Sequence, residues 1–550
     1  MQRITKPKPT ESAVLNRSVI ESLSRSAKFL FDGRDDDALI RAREVLSRRF
    51  CFLNHAEQLP VIDWQKRYVS HLWSYNLHYF DYVPDLAQAY IETGDSQFLS
   101  ALESLVTTWI DSTADGTGDG WEPYPTSVRA VNWIHSFLLL EAQFTDSFRL
   151  SVSRSLYRQL SYLEKRLERH LLANHLQKNL YALFLGGLIF RGEKADRWRS
   201  RGGRMLWAEV EEQVLPDGGH VERSPMYHGL ALRDLLETIH YARAAGEPVA
   251  AGVVGRVRAM ASAFGAFTRG DAGIHLLNDS AQGVAPSSAR LTHLAARVLG
   301  EPMVPPTGEW ALRHSGFYGH RDPVSGDNLI IDCGNLGPSY QPGHAHCGIS
   351  SYELDLAGVS VVVDSGVHGY DADPFREYVR STRAHNTVAI DGKDQSEMWG
   401  TFRVARRARV ITARSSIADG KYIFEGAYRP YHSRRAVHHR AITRVPGEFS
   451  VTDAVRNAPG AFLDSFIHLH PDFSAEIRDG TVVAWNGALV IVIRPFGTNS
   501  IRIHKGESDP VQGWYCPEFG KAIPQSVIVL RVDNNRGQPF GYTIRVESDQ

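Results

Sequence analysis

The chain is poor in cysteine, nearly neutral in charge, and lacks a long apolar run. Its 550 residues contain 4 cysteines (Cys51, Cys333, Cys347 and Cys516), and no two of them form a CxxC pair. That spacing excludes a disulfide framework and a thiolate zinc site. The formal net charge of −1 provides no general attraction to nucleic acid or to a membrane, so we expect neither as a partner.

No apolar stretch has the length of an export signal or of a membrane span. The segment Lys28-Phe29-Leu30-Phe31 is too short for a signal peptide. The longest apolar run, Leu180 to Phe190, falls short of the roughly 20 residues that a spanning helix needs. For the chain as given we therefore expect a cytoplasmic protein. A trimmed form of a longer chain would be periplasmic or secreted.

The composition is that of a globular protein with more than one domain. A length of 550 residues suggests two or three domains. Apolar residues make up 43% and charged residues 22% of the chain, which are ordinary globular values. The 11 tryptophans, 21 tyrosines and 24 phenylalanines suit stacking on sugar rings and equally suit plain hydrophobic cores.

Helical periodicity dominates from about residue 64 to residue 300. Apolar residues recur there at three-and-four spacing, which predicts helices over Asp85–Thr93, Gln97–Ile110, Val131–Phe144, Ser151–Leu171, Leu176–Phe190, Arg204–Leu215, Pro225–Ala245 and Ala251–Thr268. The regular helix-loop-helix alternation predicts paired helices in an array or a ring. Residues 1–63 are charged and mixed, and we predict a helical N-terminal extension there.

After a linker at Glu301–Gly308 the pattern changes to period two. Strands are predicted at Asn328–Asp332, Ser350–Leu356, Val359–Asp364, Thr387–Ile390, Tyr422–Phe424, Ala441–Val445, Phe449–Val455, Thr481–Trp485, Ala488–Ile493, Ser526–Val532 and Thr543–Val546. Many short strands with turn signals are typical of an antiparallel β-sandwich, which we predict over residues 310–550. Asn486-Gly487 predicts a hairpin with a type I′ turn, in which both residues need positive φ.

Histidines and an aspartate cluster within this second half. His344 and His346 are two residues apart and would share one face at the start of a strand, and Asp364 at the end of the next strand would fold back beside them. Two imidazoles and one carboxylate are a common zinc set. We predict a zinc site with the ligands His346, Asp364 and His385, which leaves His344 free for chemistry. The plainer interpretations are half-buried histidines and an ordinary turn at Asp364-Ser365-Gly366.

The helical half carries its own polar residues at predicted helix starts. Asn174 and His175 precede an apolar helix, where they are either capping groups or site residues. Ser224 and Pro225 fit the cap and first turn of a helix. Tyr227 and His228 would then lie in the first turn, where they either pack or belong to a site.

A third group contains Tyr124 and Arg129, which follow Trp121-Glu122 closely in the chain. Arg129 would either bind a substrate carboxylate through both arms of its guanidinium or pair with Glu122. The arginines Arg376, Arg380 and Arg383 precede His385 and would either recognise sulfate or form a solvated face.

Four motifs occur in a fixed order along the chain: Asn174-His175, Ser224-Pro225-Met226-Tyr227, Gly343-His344-Ala345-His346 and Arg383-Ala384-His385-Asn386-Thr387. In combination they resemble the heparinase II/III-like polysaccharide lyases. The stretch Tyr75-Asn76-Leu77-His78-Tyr79-Phe80 is similar to bacterial members of that family. The resemblance extends from about residue 64 to about residue 460. It implies an incomplete (α/α) toroid over 64–300 followed by an antiparallel β-sandwich, which agrees with the helical and β periodicities.

The resemblance also implies an activity. Such lyases remove the C5 proton of a uronate in a polysaccharide or oligosaccharide and expel the 4-O-linked sugar. Asn174 and His175 match the residues that neutralise the uronate carboxylate, and Tyr227 matches a tyrosine that acts as base, acid or both. His344 matches the partner base. The metal held by His346, Asp364 and His385 would be a structural divalent ion such as zinc.

Further substrate-binding residues are expected around these groups, namely Arg129, Tyr124, His228 and Arg223. A tyrosine base needs its pKa of about 10 lowered, for which His228, His175 and Arg223 are candidates. A homodimer is one expected assembly.

Two other functions stay open at this point. A glycoside hydrolase would use two facing carboxylates, such as Glu222 with Asp217 or Glu122. A non-catalytic carbohydrate-binding protein would keep the fold without the chemistry.

Overall fold

A computed structural model of the chain describes residues 13–32, 37–270, 273–534 and 537–547. It divides into two compact units. The helical unit consists of Met1–Glu211 and Asp234–Val254, and the β unit consists of Glu212–Arg233 and Gly255–Gln550. The domain limits 63/64 and 300/310 given above stay predictions. Within the described residues, no helix has both the length and the apolar content required to cross a membrane.

Helices fill the first half of the chain, as the periodicity predicted. The α-helices are α1 (Arg17–Phe31), α2 (Ala38–Leu46), α3 (His71–Tyr79), α4 (Tyr82–Thr93), α5 (Ser96–Ser112), α6 (Pro123–Leu140), α7 (Asp146–Leu163), α8 (Ala173–Ile189), α9 (Glu193–Arg197), α10 (Gly203–Gln213), α11 (Pro225–Ala244), α12 (Ala251–Phe264), α13 (Ser288–Leu299) and α14 (Pro374–Arg380). Short 3-10 turns lie at Asp119–Trp121, Gly265–Phe267 and Thr382–Ala384, and a π turn at Trp198–Gly202 joins α9 to α10.

Helix α6 begins eight residues before its predicted start. Pro123 and Pro125 occupy its first turn, where a missing N–H costs nothing because the first turn has no intrahelical partner. Its buried face includes Trp133 and Phe137. The early start places Tyr124 at the N-terminus of this helix.

The N-terminal extension is only partly helical. Helices α1 and α2 lie within residues 1–63, but strands β2 (Arg49–Phe52) and β3 (His55–Gln58) form a hairpin there. The hairpin is a feature that the sequence pattern did not predict in this region. The hairpin is stabilised by aromatic packing, since Phe50 contacts Tyr82 and Phe52 contacts Trp73. Residues 1–12 and 33–36 lie outside the described residues.

Strands fill the second half. Besides β2 and β3, the strands are β1 (Val14–Leu15), β4 (Phe190–Arg191), β5 (Gly308–Leu312), β6 (Phe317–Asp322), β7 (Asp327–Asp332), β8 (Ser351–Leu356), β9 (Val359–Val362), β10 (Val388–Ile390), β11 (Met398–Trp399), β12 (Arg403–Val404), β13 (Arg409–Ala418), β14 (Lys421–Arg429), β15 (Val437–Val445), β16 (Glu448–Arg456), β17 (Ala461–His468), β18 (Ser474–Arg478), β19 (Thr481–Trp485), β20 (Val490–Phe496), β21 (Ser500–Lys505), β22 (Glu507–Ser508), β23 (Val511–Gln512), β24 (Trp514–Tyr515), β25 (Ile523–Pro524), β26 (Ser526–Asn534) and β27 (Phe540–Val546).

Three larger antiparallel sheets build most of the β unit, beside the two-stranded sheets β11-β12, β22-β23 and β24-β25. The larger sheets have the strand orders β13-β14-β15-β16-β27-β20-β19-β18, β5-β6-β7-β8-β9 and β10-β17-β26-β21. Alternate residues of these strands meet in one hydrophobic core, in which Tyr352, Phe424, Phe449 and Ile528 are buried. The predicted order of helices followed by antiparallel sheets is confirmed.

The hairpin predicted at Asn486-Gly487 exists, but its turn differs from type I′. Strands β19 and β20 pair as expected, and Gly487 has a φ of 83°. Asn486 is not among the residues with positive φ. Its side-chain oxygen instead accepts hydrogen bonds from the amides of Ala488 (3.1 Å) and Leu489 (2.9 Å). An asparagine whose side chain bonds to the following backbone stabilises a longer loop in which the asparagine itself does not need positive φ.

Replacing Asp453 with asparagine is expected to lower the free energy of unfolding by about 3 kcal/mol at neutral pH, because it leaves the buried Arg440 without its charge partner. Arg440 Nε donates to Asp453 Oδ1 at 2.8 Å, and Nη2 donates to Oδ2 at 2.9 Å. Burial acts to raise the pKa of Asp453, but Arg440 and His438 hold it at about 2. Such a carboxyl stabilises the fold above pH 4, and this contribution is lost as pH falls to 2.

Urea titrations at several pH values measure this effect. The difference in the free energy of unfolding between wild type and Asp453→Asn is expected to decrease by about 2 kcal/mol from pH 5 to pH 2. Asp472→Asn is a matched control, since Asp472 is exposed beside His470. A difference in unfolding free energy that does not change with pH would show that Asp453 is not charged in the folded protein.

Candidate active site

The start of helix α11 places Tyr227. Ser224 caps the helix as predicted, because its Oγ accepts a hydrogen bond from Tyr227 N at 3.2 Å. The same hydroxyl donates to the carbonyl of Asp279 at 2.7 Å. The cap therefore fixes the first turn of α11 and also ties it to the segment that contains Asp279.

Tyr227 lies against two other rings of the β unit. Its ring centroid is 4.0 Å from that of His344. Its hydroxyl is 2.8 Å from the hydroxyl of Tyr370. Burial raises the pKa of Tyr227 well above its usual range, and the nearby Tyr370 and Asp279 add to this shift. At neutral pH the phenol therefore keeps its proton.

The two histidines of the Gly343–His346 motif are in a loop and not at the start of a strand. Strand β8 begins only at Ser351, so the expectation of a shared strand face is wrong. The two side chains converge in another way, because both bond to Asp279. His344 Nδ1 is 2.9 Å from Asp279 Oδ2, and His346 Nε2 is 2.7 Å from Asp279 Oδ1.

Asp279 is a fully buried carboxylate held by an arginine. Arg376 Nη2 donates to Asp279 Oδ2 at 2.9 Å, and Nη1 donates to Oδ1. Burial acts to raise the pKa of Asp279, but Arg376, His344 and His346 hold it well below its usual range. The carboxylate is therefore charged and accepts hydrogen bonds from both histidines. It fixes the tautomer of His344 with the proton on Nδ1 and leaves Nε2 as an acceptor.

A second carboxylate lies on the other side of His344. Glu222 Oε2 is 3.8 Å from His344 Nε2, and both residues are buried. A positive charge that forms on the imidazole would therefore lie between two carboxylates, Asp279 and Glu222.

Sequence reasoning missed Asp279 and Tyr370, and it assigned Arg376 a different role. Asp279, Arg376 and Tyr370 make the contacts that organise Tyr227 and His344. The arginines before His385 were expected to bind sulfate or to form a solvated face. The structure buries Arg376 on Asp279 and buries Arg380, whose Nη1 donates to the carbonyl of Gly400 at 2.8 Å.

The predicted metal ligands show two open ring nitrogens. His346 and His385 have ring centroids 5.3 Å apart, and His346 Nδ1 and His385 Nε2 are buried without a hydrogen-bond partner. Asp364 Oδ2 is 2.8 Å from Nδ1 of His385, the other nitrogen of that ring. The two histidines fit a metal ion, and Asp364 fits the carboxylate that orients a ligating histidine.

In the helical unit, Asn174 and His175 lie in the first turn of α8. The helix begins at Ala173, and Leu172 occupies the cap without a side-chain hydrogen bond, so the interpretation of Asn174 as a cap is wrong. Leu172 and Ala173 have φ values of 59° and 48°. Positive φ is costly for residues with a side chain and is concentrated at functional sites.

A buried carboxylate orients His175. Glu168 Oε1 is 3.1 Å from His175 Nδ1, and Glu168 Oε2 accepts from Asn179 Nδ2 at 2.9 Å. Asn179 in turn donates to Ser127 Oγ at 3.0 Å. The other ring nitrogen of His175 is left for a ligand, since the side chain is 31% exposed.

A row of aromatic rings continues from His175. The ring centroid of Tyr124 lies 4.6 Å from that of His175, and the ring centroid of Tyr79 lies 6.0 Å from that of Tyr124. Tyr75 follows at 6.4 Å from Tyr79, and His71 at 4.1 Å from Tyr75. All five are partly exposed. Such a row suits stacking against sugar rings.

Arg129 lies in the interior of the helical unit. Its Nε donates to Gln159 Oε1 at 2.9 Å, and Nη1 donates to the carbonyl of Gly120 at 2.6 Å. The Cζ atom of the guanidinium lies over the ring of Trp109, 3.9 Å from the ring centroid. Arg129 also donates to the carbonyl of His78 and to Thr126 Oγ1. None of its hydrogen bonds goes to Glu122, so the alternative pairing with Glu122 is wrong.

Arg223 and His228 are bonded to backbone groups of the β unit. Arg223 Nη1 donates to the carbonyl of Asn335, and burial lowers the pKa of the guanidinium. His228 Nε2 is 2.8 Å from the carbonyl of Met260, and its Nδ1 accepts from His220 N at 3.3 Å. Both ring nitrogens of His228 are thus occupied by protein groups.

Comparison with known families covers most of the chain. Residues 33–296 match the family described as Heparinase II/III N-terminus. Residues 304–543 match the family described as Heparinase II/III-like, C-terminal.

Two curated proteins and one solved structure illustrate the similarity. Heparin-sulfate lyase from Pedobacter heparinus is 24% identical over 355 residues, which are 58% of this chain and 52% of that protein. The chain thus spans about half the length of this relative. FtsZ-localized protein C from Caulobacter vibrioides is 24% identical over 446 residues, which are 76% of this chain and 73% of that protein.

A crystal structure of heparinase III has the same fold. It superposes with a TM-score of 0.75 at 16% identity and covers 94% of this chain and 86% of that chain. The predicted fold class, a helical toroid followed by an antiparallel β-sandwich, is confirmed.

Proposed function

Because the chain belongs to the heparinase II/III-like family, as its motifs predicted, we propose that it is a polysaccharide lyase that cleaves uronate-containing polysaccharides or oligosaccharides by β-elimination. The cluster of Tyr227, His344 and Asp279 is the observation that supports this most directly. It offers an acid and a base side by side. The similarity to the heparin-sulfate lyase of Pedobacter heparinus supports the same class of substrate.

We assign the base to His344 and the acid to Tyr227. Asp279 holds the proton of His344 on Nδ1, so Nε2 is free to accept the C5 proton of the uronate. Burial keeps Tyr227 protonated, so its hydroxyl suits the donation of a proton. This assignment departs from the expectation that Tyr227 needs a lowered pKa to act as a base.

The proposed reaction transfers one proton from the substrate to His344 and one from Tyr227 to the leaving oxygen, and it shifts two electron pairs. His344 Nε2 takes the C5 proton, and the C5–H electron pair becomes the C4–C5 double bond. The C4–O bond breaks, and the departing sugar oxygen takes the proton of the Tyr227 hydroxyl. Tyr370, at 2.8 Å, then donates its proton to the Tyr227 oxygen and regains one from solvent. Glu222 and Asp279 stabilise the imidazolium formed on His344. His344 releases its proton to solvent before the next turnover.

The C5 proton is acidic enough only when the charge of the uronate carboxylate is neutralised. We assign this role to Asn174 and His175. The bond from Glu168 supports the assignment, because it orients His175 and leaves its second ring nitrogen available. The aromatic row of Tyr124, Tyr79 and Tyr75 supports sugar binding beside His175.

The hydrolase alternative is not supported by the carboxylates that it requires. Asp217 accepts hydrogen bonds from Ser315 N and Ser315 Oγ, each at 2.8 Å. Glu122 accepts one from the hydroxyl of Tyr75. Glu222 lies beside His344, and this position suits a carboxylate that stabilises an imidazolium better than one that acts as a general acid.

A second candidate is a binding protein that retains the fold without cleavage. FtsZ-localized protein C, which is similar over 76% of this chain, is named for its localization and not for a lyase activity. Retention of Tyr227, His344 and Asn174 favours the lyase.

The test follows the ultraviolet absorbance of the unsaturated uronate during incubation with uronate polymers and oligosaccharides. The lyase proposal expects a rise with at least one substrate, and loss of that rise in His344→Ala. New reducing ends without the absorbance would instead indicate a hydrolase. Retained binding with neither product would favour the binding protein.

We propose that His346 and His385 hold a structural divalent metal such as zinc. Their two unpartnered buried nitrogens support this, because a buried polar atom is rarely left unsatisfied. A bound ion would provide a fixed positive charge that holds the His346 loop, and no step of the reaction passes through it.

Zinc is therefore expected to raise the melting temperature by several degrees, with one ion bound per chain. Titration calorimetry and thermal melting measure this. His385→Ala is expected to abolish both effects. His468→Ala is the matched control, because both ring nitrogens of this buried histidine are bonded to protein groups. Equal zinc binding by the two variants would contradict the site.

A further inference from the structure

A cavity of about 480 Å³ opens in the β unit and shares no lining residue with the cluster around Tyr227 and His344. Its volume lies within the range typical of small-molecule sites, about 300–1,000 Å³. It is formed on the outer face of the sheet β10-β17-β26-β21 and by the 3-10 turn at Thr382–Ala384.

The floor of the cavity is apolar. Phe466 on β17 is directly opposite Val529 on β26. Ala389 and Val527 complete a small buried cluster with them. Residues directly opposite each other in antiparallel strands lie on the same face, so the phenyl ring and the valine form one continuous surface. Such a surface suits the apolar face of a sugar ring.

Charged groups of both signs surround this floor. Arg531 and Asp464 form an ion pair, with Nη2 and Oδ2 at 2.9 Å. His504 Nδ1 and Glu507 Oε1 are also 2.9 Å apart. These four side chains pair with one another, so they form part of the cavity wall and need no ligand to neutralise their charges.

Two arginines of the lining differ from these pairs. Arg502 is directly opposite Val529 on the edge strand β21, beside the apolar floor. The backbone of Arg383 is fixed because its carbonyl accepts from Gln512 Nε2 at 3.2 Å and lies 3.1 Å from His468 Nε2. Within the described part of the chain neither guanidinium has a hydrogen bond or a close ion pair; that of Arg383 lies 5.9 Å from the centroid of the Tyr378 ring, and its charge acts to lower the pKa of Asp394. Both are therefore available to an anionic ligand.

Carboxylates complete the rim. Asp394 Oδ1 accepts from Thr382 N at 2.7 Å, which fixes its position in the wall. Glu377 is exposed at the edge of the cavity. Both offer acceptors for sugar hydroxyls, and the two arginines offer paired donors that match a carboxylate or a sulfate.

We propose that this cavity is a second, non-catalytic saccharide site that binds an acidic sugar residue of a polysaccharide. The sugar ring lies on Phe466 and Val529, and its carboxylate or sulfate is bound by Arg383 and Arg502. The identity of the ligand rests on the proposed lyase function, since the polymer that is cleaved carries such residues. The site would hold the polymer on the enzyme between successive cleavages.

The experiment measures binding in the full chain carrying Tyr227→Phe, so that a bound ligand is not cleaved. Two probes are compared by titration calorimetry: an unsulfated tetrasaccharide of glucuronate and N-acetylglucosamine, and its sulfated form. Two binding sites per chain are expected for at least one probe. The double variant Arg383→Ala/Arg502→Ala is expected to lose one of them, with the affinity of that site reduced at least tenfold. Whichever probe binds more tightly identifies carboxylate or sulfate as the preferred group.

Arg494→Ala is the matched control. Arg494 is an exposed arginine on strand β20 of another sheet, and its loss is expected to leave both sites unchanged. Thermal melting checks that all variants are folded. In chains with intact Tyr227, the double variant is expected to cleave the tetrasaccharide at the wild-type rate and the long polymer more slowly.

The outcomes separate this proposal from the lyase proposal. Unchanged stoichiometry and affinity in the double variant would overturn the second site, whatever the wild type cleaves. Loss of one binding site, together with no cleavage of any substrate by the wild type, would support the second site and overturn the lyase.

Discussion

Tyr227→Phe is expected to reduce kcat about 1,000-fold and to leave KM within about threefold. Removal of a general acid typically costs about 10²–10⁴ in rate. The hydroxyl is 2.8 Å from Tyr370, whereas the ring packs on His344 at 4.0 Å. Phenylalanine keeps the ring and its packing but removes the proton donor. The measurement is the initial rate of formation of unsaturated uronate, over a range of substrate concentrations.

A second buried tyrosine pair provides the control. Tyr352 and Tyr542 have hydroxyls 2.7 Å apart in the core of the β unit. Tyr352→Phe removes a hydroxyl from an equivalent pair and is expected to leave kcat unchanged. Tyr370→Phe is expected to give a smaller loss than Tyr227→Phe, because Tyr370 restores the proton and does not donate it to the substrate. Equal rates for Tyr227→Phe and the wild type would exclude Tyr227 as the acid.

Asp279→Asn is expected to reduce kcat by about 10²–10⁴ with little change in KM. A carboxylate that holds the tautomer of a catalytic histidine has effects of this size in other enzymes. The asparagine would keep the shape of the side chain but would lose the charge that stabilises an imidazolium on His344. It would also leave the buried Arg376 without its partner, which costs about 3–5 kcal/mol of folding free energy.

Stability and activity must therefore be measured together for this variant. Thermal melting gives the folded fraction at the assay temperature, and rates are corrected to it. Asp332→Asn is the matched control, because Asp332 is a buried carboxylate that accepts from Gly334 N at 3.0 Å and from Asn278 Nδ2 at 3.1 Å without touching His344. A folded Asp279→Asn enzyme with normal kcat would show that Asp279 has a structural role alone.

Local periodicity explains why eight of the 14 α-helices and eleven of the 27 strands that the structure describes were predictable. Strands β8, β19 and β26 are rich in apolar residues, and their predicted limits agree with the structure within two residues. Strand β17 was missed because Asp464, Ser465 and His468 interrupt its apolar pattern, although all three are buried. Strand β13 was missed because its side chains are mostly exposed at the edge of its sheet.

The candidate site was predictable only where residues are close in the sequence. The motif around His344 and His346 is local, and Ser224 and Tyr227 share one helical turn. Asp279 lies 65 residues before His344, and Arg376 lies 97 residues after Asp279. No spacing rule connects such positions, because strands and loops of the fold bring them together.

Buried arginine was the other source of error. Arg129 was expected either to bind a substrate carboxylate through its guanidinium or to pair with Glu122. The structure satisfies it with Gln159 and the carbonyl of Gly120. These partners are main-chain and amide oxygens, which carry no recognisable pattern in the sequence.

The positive φ angles of Leu172 and Ala173 have a consequence for protein engineering. Each such residue costs about 1–3 kcal/mol of conformational strain, so a method that optimises stability alone would select glycine at both positions. That change would raise the melting temperature of the protein, but it would also make the backbone of the turn before Asn174 more flexible. A thermostable variant obtained in this way would trade turnover for stability, and directed evolution for heat resistance should therefore leave this pair unchanged.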